Sequence, residues 1–389
     1  MKEQLIDRIR QRSEEYVRMS DAIFDHPEVG LEEYYAADLL TGYLEKEGFR
    51  VERGLAGLPT AFRAVWEQGK GGPSIGLLCE YDALKGFGHG CGHHMQGPAI
   101  LGAAAALKDC VKDLPYRIIV YGTPGEENAA GKVTMLHGGC FRDIDVALMT
   151  HANPETNVDV KSLAMRSYQA EYFGRAAHAA IRPEEGRSAL DALMLACHGV
   201  ECLREHVRDD VRMHYAIRET SPLTNVVPAH TVSSFTLRSE SSRYLDELSE
   251  RLFKVLRGAA MMTETEVTIV EKSHLDNKIP VFLLNDLLMD NARRIQAPQL
   301  GEPRKKTGST DFGNVMHEIP GSCIRIAFVP KGTSSHSQEY LDAGKSEAAH
   351  QAVIAAAEIL AMTAWDLISR EGLLDQIRAE FKRNLEEMG

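Results

Sequence analysis

Three short apolar runs, Ile75-Gly76-Leu77-Leu78-Cys79, Ile118-Ile119-Val120-Tyr121 and Val146-Ala147-Leu148-Met149, alternate with segments of helical character at 96–109 and 131–138. Runs this short and apolar read as strands buried on both faces, and strands separated by helices pair in parallel through crossovers. The pattern predicts an α/β fold with a doubly wound, mainly parallel sheet. In such sheets ligands sit beyond the carboxyl ends of the strands.

The residues beyond those ends carry chemistry. After the first run come Glu80, Asp82 and then Gly88-His89-Gly90-Cys91-Gly92-His93-His94; after the second, Gly125-Glu126-Glu127-Asn128; after the third, Thr150-His151-Ala152-Asn153. A further strand at 323–329 leads to Lys331-Gly332-Thr333-Ser334-Ser335-His336. Thiolate and imidazole bind borderline metals such as zinc, and interleaved glycines let a backbone wrap closely around an ion. Adjacent glutamates usually form a solvated acidic turn. In a metal-lined crevice they can divide labour, one ligating the ion and its neighbour moving protons.

The flanks read as scaffold. Leu5, Ile9, Tyr16, Met19 and Ile23 fall near helical spacing and predict one amphipathic helix ending before His26-Pro27; a second helix is expected over 32–46, and strands at 49–53 and 60–66. At 389 residues the chain exceeds what one core organises, so two domains are expected. Between about 162 and 275 strands and helices suggest an inserted α+β lid module with an antiparallel sheet, dividing the chain into a catalytic domain first part at 1–161, the insert at 162–275 and a catalytic domain second part at 276–389. Within the insert, His178 lies among small residues after a strand and Asn225 beside an extended turn, both of which sequence alone reads more readily as structural.

Charge and composition narrow the partners. A formal net charge of -12 disfavours nucleic acid and anionic membranes, leaving small molecules. The start has no apolar core like that of a signal peptide, and no segment is expected to reach the roughly 18 apolar residues that span a bilayer. Seven scattered cysteines form no disulfide framework, so a cytoplasmic location is expected.

The series Glu80-Tyr81-Asp82-Ala83-Leu84, Gly88-His89-Gly90-Cys91-Gly92-His93, Gly125-Glu126-Glu127, His151, Gly174-Arg175-Ala176-Ala177-His178, Asn225-Val226-Val227-Pro228, Gly308-Ser309-Thr310-Asp311-Phe312 and His336 resembles the dinuclear metal amidohydrolases of the aminoacylase and dipeptidase family. The match in order runs along nearly the whole chain, including His26-Pro27-Glu28, and looks most like the p-aminobenzoyl-glutamate hydrolase and basic-dipeptide hydrolase branch. The resemblance implies a cofactor of two divalent ions per chain, Mn²⁺ or Zn²⁺, with Cys91, His93, Glu127, His151 and His336 as ligands and Cys91 as a candidate bridge. It implies Glu126 as general base, Asp82 as the carboxylate that orients a ligand imidazole, His178 as an oxyanion-stabilising catalytic residue, and His178 and Asn225 as lid residues holding the substrate. Arg175, Arg182 and Arg238 could each pair with a substrate carboxylate, with Arg238 the candidate carried forward.

The function implied is hydrolysis of a carboxylate-bearing amide, a dipeptide or an N-acyl or aroyl amino acid, by a homodimer joined through the lid. Alternatives are an atypical hydrolase of a non-peptide C–N bond, such as an aromatic amine or amidine, and a metal-binding module without catalysis. The departures from the family pattern are His94, where relatives usually carry Asp or Asn, and the bulky Tyr215 in the lid.

Overall fold

The computed structural model describes residues 1–304 and 307–389, and the chain divides into two compact units. Unit 1 combines Met1–Lys161 with Lys278–Met388, and unit 2 is Ser162–Asn277.

Unit 1 opens with α1 (Lys2–Gln11), α2 (Ser13–Asp25) and α3 (Tyr34–Lys46), followed by β1 (Arg50–Arg53), β2 (Phe62–Gln68), β3 (Ser74–Cys79), α4 (Gln96–Cys110), β4 (Tyr116–Gly122), α5 (Gly131–His137), β5 (Val146–Asn153) and β6 (Asn157–Val158). Unit 2 contains β7 (Ala164–Phe173), α6 (Ala189–Arg204), β8 (Arg212–Glu219), β9 (His230–Ser239), α7 (Ser242–Met262) and β10 (Glu266–Leu275). The chain then returns to unit 1 as α8 (Phe282–Arg294), α9 (Phe312–Glu318), β11 (Gly321–Ala327), α10 (Gln338–Asp342), α11 (Glu347–Ser369) and α12 (Leu373–Met388).

The single opening helix expected from periodicity is two helices. The chain leaves helical geometry at Arg12 (φ -114°, ψ 13°), whose guanidinium is held 2.8 Å from Glu15 and 2.7 Å from Glu47. Both helices pack on α4 and α11, which is why one apolar spacing runs through the break.

The sheet of unit 1 has the order β1-β2-β4-β3-β5-β11-β6. Its centre, β4-β3-β5-β11, is parallel, and antiparallel strands close both edges. The central strands are apolar throughout because alternate residues enter two different cores. Ile75, Leu77, Ile118, Val120, Val146 and Leu148 face the cluster built with α1–α4, α8 and α11, whereas Leu78, Ile119, Tyr121, Ala147 and Met149 face a smaller cluster with Met135, Phe312, Val315 and Met316. Contrary to the sequence expectation, α11 is long and apolar enough to cross a membrane, but 78% of its most apolar window is buried and it packs against α4, α1 and α8. It is the central core helix of the unit, with the Ser346 side chain accepting from Ala349 N at its start.

Unit 2 is an antiparallel sheet of order β10-β7-β9-β8, with α6 and α7 packed against one face. Its core is the apolar face of period-two strands, Tyr168, Ala170 and Tyr172 of β7 and Phe235 and Leu237 of β9, against Leu193, Leu245, Leu248 and Leu252 of the helices.

Candidate active site

The parallel strands of unit 1 end together, and the residues that follow them converge. Glu80 and Asp82 follow β3, Glu126 and Glu127 follow β4, and His336 lies beyond β11. His151 falls inside β5, which extends to Asn153, so a strand and not a loop carries this imidazole. Cys91 and His93 sit in the glycine-rich turn before α4. Gly92 is required there, since its φ is +82° and a Cβ would lie 2.5 Å from the Cβ of Ala152.

Among the described residues four potential ligand groups result, each with donor atoms within 4.8 Å of one another: Cys91, His93 and His151; Cys91, Glu127 and His336; His93, Glu126 and Glu127; and Glu80, Glu126 and Asp311. Cys91 belongs to the first two, and its Sγ is 3.7 Å from His151 Nε2. His93 is fully buried, with Nδ1 3.0 Å from Asp82 Oδ1 and 3.1 Å from the Asp82 carbonyl. That fixes Nδ1 as a protonated nitrogen and leaves Nε2 without a hydrogen-bond partner, 3.3 Å from Glu80 Oε2. Glu127 Oε1 is likewise buried without a hydrogen-bond partner, 3.4 Å from His336 Nε2. His336 holds a left-handed backbone, φ +62°, where a non-glycine residue is strained, and its N–H is tied to the Gly90 carbonyl at 3.0 Å.

These orphaned atoms and this donor chemistry fit divalent cations. Burial pushes the Cys91 thiol up to about 12, and burial pushes His151 down to about 3, so the imidazole is neutral and able to ligate, while the thiolate needs a compensating cation. Burial, reinforced by Glu80 and Asp311, pushes Glu126 up to about 8, near the range of an effective general base.

Sequence reasoning missed Lys132 altogether. This fully buried lysine at the start of α5 places Nζ 2.5 Å from Glu80 Oε1 and 2.8 Å from Asp311 Oδ1. Against the effect of burial, its charge holds Glu80 well below the usual carboxylate range. The second Glu80 oxygen accepts from Gln96 Nε2 at 2.7 Å. The one signal in the sequence was a lysine on the inward face of a short apolar helix.

In unit 2 the segments of His178 and Asn225 are brought together: Ala179 N donates to the Asn225 carbonyl at 3.0 Å, and His178 pairs with Val226. Both side chains are exposed. Arg238 is on β9, half-buried on the sheet face opposite Phe235 and Leu237. Tyr215 lies on the edge strand β8 and is 39% exposed. His94 is fully buried, its Nε2 2.8 Å from the Gly344 carbonyl.

Residues 75–362 match Peptidase family M20/M25/M40. The chain is 33% identical to the Xaa-Arg dipeptidase of Mus musculus, the match covering 100% of this chain and 93% of that protein. It is 30% identical to a p-aminobenzoyl-glutamate hydrolase protein of Escherichia coli (strain K12), covering 97% and 94%. Among solved structures, the fold matches an aminobenzoyl-glutamate utilization protein from Klebsiella pneumoniae with a TM-score of 0.76 and 21% identity, over 93% of this chain and 98% of that one. A dinuclear metal-binding M20 peptidase from Bacillus subtilis matches with a TM-score of 0.68 and 18% identity, over 90% and 99%.

Proposed function

The chain belongs to peptidase family M20/M25/M40 and is a hydrolase of that metallo-amidohydrolase family, and from that premise we propose that it cleaves the amide bond of a small carboxylate-bearing substrate, a dipeptide or an N-acyl or aroyl amino acid. The observation that carries this reading is Cys91, whose sulfur is shared by two separate groups of potential ligands while Glu126 stands in a third group with His93 and Glu127. Two divalent ions, Mn²⁺ or Zn²⁺, held by Cys91, His93, Glu127, His151 and His336, would supply Lewis acidity that acidifies water and polarises a carbonyl.

The chain's own residues do the rest. Glu126 accepts a proton from the attacking water and passes it to the leaving amine, a role suited to a carboxylate whose proton affinity burial has raised. Asp82 keeps the His93 ring in one tautomer and orientation. In unit 2, His178 and Asn225, whose segments pair, are the residues the family resemblance makes candidates for the oxyanion or the substrate carboxylate, with Arg238 as a further carboxylate candidate. A second copy docks along unit 2: β8 is an edge strand exposing Ile217 at 53%, a template for pairing with its equivalent.

The test is metal analysis of the purified protein together with release of free amino acid from Xaa-Arg dipeptides, N-acetyl and N-benzoyl amino acids and p-aminobenzoyl-glutamate after Mn²⁺ or Zn²⁺ reconstitution. The reading expects about two ions per chain and turnover of at least one class. Two ions with no turnover across the panel would move the site to a non-peptide C–N bond.

A further inference from the structure

The turn that carries Glu126 is held from both sides by buried carboxylates. The N–H of Glu127, just after Glu126, donates to Asp82 Oδ2 at 2.9 Å, and the N–H of Gly125, just before it, donates to Glu33 Oε1 at 2.8 Å. Glu33 is wholly buried, ends the segment before α3, and lies 92 residues from Gly125 in the chain. Its other oxygen accepts from Thr60 Oγ1 at 2.8 Å.

The same N-terminal segment lies directly on the turn. A Cβ on Gly30 would meet Asn128 Oδ1 at 2.0 Å and Gly125 Cα at 2.6 Å, and the Glu28 carbonyl accepts from Ala83 N at 2.7 Å, one residue past Asp82. Gly125 itself has φ +69°, a conformation its backbone adopts freely and must be held in. A buried carboxylate is costly unless its bonds are made, and Glu33 uses one oxygen on the Thr60 hydroxyl and the other on the turn amide of Gly125, which assigns it a task at that turn.

We propose that Glu33 is a positioning residue of the hydrolytic site, its carboxylate fixing the Gly125 amide so that Glu126 points at the water it deprotonates. The inference rests on the reading of Glu126 as general base. Burial pushes the Glu33 carboxyl up to about 7, against the lowering effect of Thr60, and either protonation state keeps an oxygen that accepts from Gly125. Glu33, at the start of the 32–46 segment that sequence reads as scaffold, thereby becomes part of the catalytic apparatus without touching substrate.

The experiment compares Glu33→Met, which fills the space but has no acceptor, with Glu33→Gln, which keeps one, in the metal-loaded full chain. Glu33→Met is expected to lower kcat on the order of 10- to 100-fold with KM and metal content near those of the parent, and Glu33→Gln to restore kcat to within about threefold. Parent-like kcat in Glu33→Met, or equal loss in both variants, overturns the proposal. Amide hydrogen exchange across 122–129 reads the same contact without catalysis: Gly125 should be protected in the parent and in Glu33→Gln, and an unprotected Gly125 in the parent overturns the proposal even if Glu33→Met does not fold. Parent-like turnover in Glu126→Gln would instead sink the reading of the base and leave the exchange result standing.

Discussion

The two units bury different things. Among the described residues, unit 2 has one charged side chain under 9% exposure, Arg166, and it is neutralised by Asp246 at 2.9 Å and Asp276 at 3.0 Å. The rest of that core is aromatic and aliphatic side chains from one face of a sheet and two helices. Unit 1 buries Glu33, Glu80, Asp82, His93, His94, Lys132, Asp159 and Asp311 between or beside its two apolar clusters. Burying a charge costs several kcal/mol before any partner repays it, and replacing a buried ion pair by apolar residues is often neutral or stabilising. A fold that needed only stability would resemble unit 2. Some of unit 1's buried charges tie helices together, as Glu358 does with Arg10, Asp366 with Lys2 and Glu380 with the start of α8, but Glu80, Asp82, His93, Lys132 and Asp311 gather at the carboxyl ends of its strands, where they hold the Glu126 turn and one another in place.

If the contrast is right, perturbing the core of unit 2 costs stability and spares the chemistry. Leu252→Ala, at a fully buried position on α7, should destabilise by about 2–5 kcal/mol in denaturant titration, with kcat per folded molecule unchanged. A kcat loss in molecules that remain folded would break the separation of roles.

The second comparison concerns pH. Burial pushes His94 of unit 1 down to about 4, below its value of about 6.5 in an unfolded chain, so between those values the unfolded state binds more protons and stability falls as pH drops. This contribution should amount to up to about 2 kcal/mol between about pH 7.5 and pH 5. Glu33, raised to about 7, works in the opposite sense, losing stability as pH rises from about 4.5 to 7, and His89, His151 and Glu126 are shifted across the same range, so the parent curve alone mixes several groups. Removing the ionisable ring isolates the His94 contribution: in His94→Gln, whose amide can still donate to Gly344, the acid-side loss should shrink, read by denaturant titration at both pH values. Identical pH profiles for parent and variant would remove His94 as a buried neutral base.

The same contrast explains what sequence made legible. Unit 2 could be read from period-two alternation in β7 and β9 and from the apolar spacing of α7, because each element has one buried face. The central strands of unit 1 were legible as unbroken apolar runs, and Cys91, His93, Glu126, Glu127, His151 and His336 stood out because thiols, imidazoles and paired carboxylates cluster after those runs. What stayed hidden depends on tertiary contact. Arg12 breaks a helix without glycine or proline, through a pairing with Glu47 that lies 35 residues on. Glu33 reads as one of two acidic residues at a helix start, and Lys132 as a helix lysine, until Gly125 and Asp311 are seen beside them.

The central claim is that the ligand set and the base are separate, Cys91, His93, Glu127, His151 and His336 holding metal and Glu126 moving the proton. The most direct measurement is bound metal per chain and steady-state turnover of the best dipeptide or N-acyl amino acid for Glu126→Gln beside the parent. The account predicts about two ions in both proteins and a loss of turnover on the order of 1,000-fold or more in the variant. Metal lost together with activity would make Glu126 a ligand, and turnover retained with metal intact would place the base elsewhere.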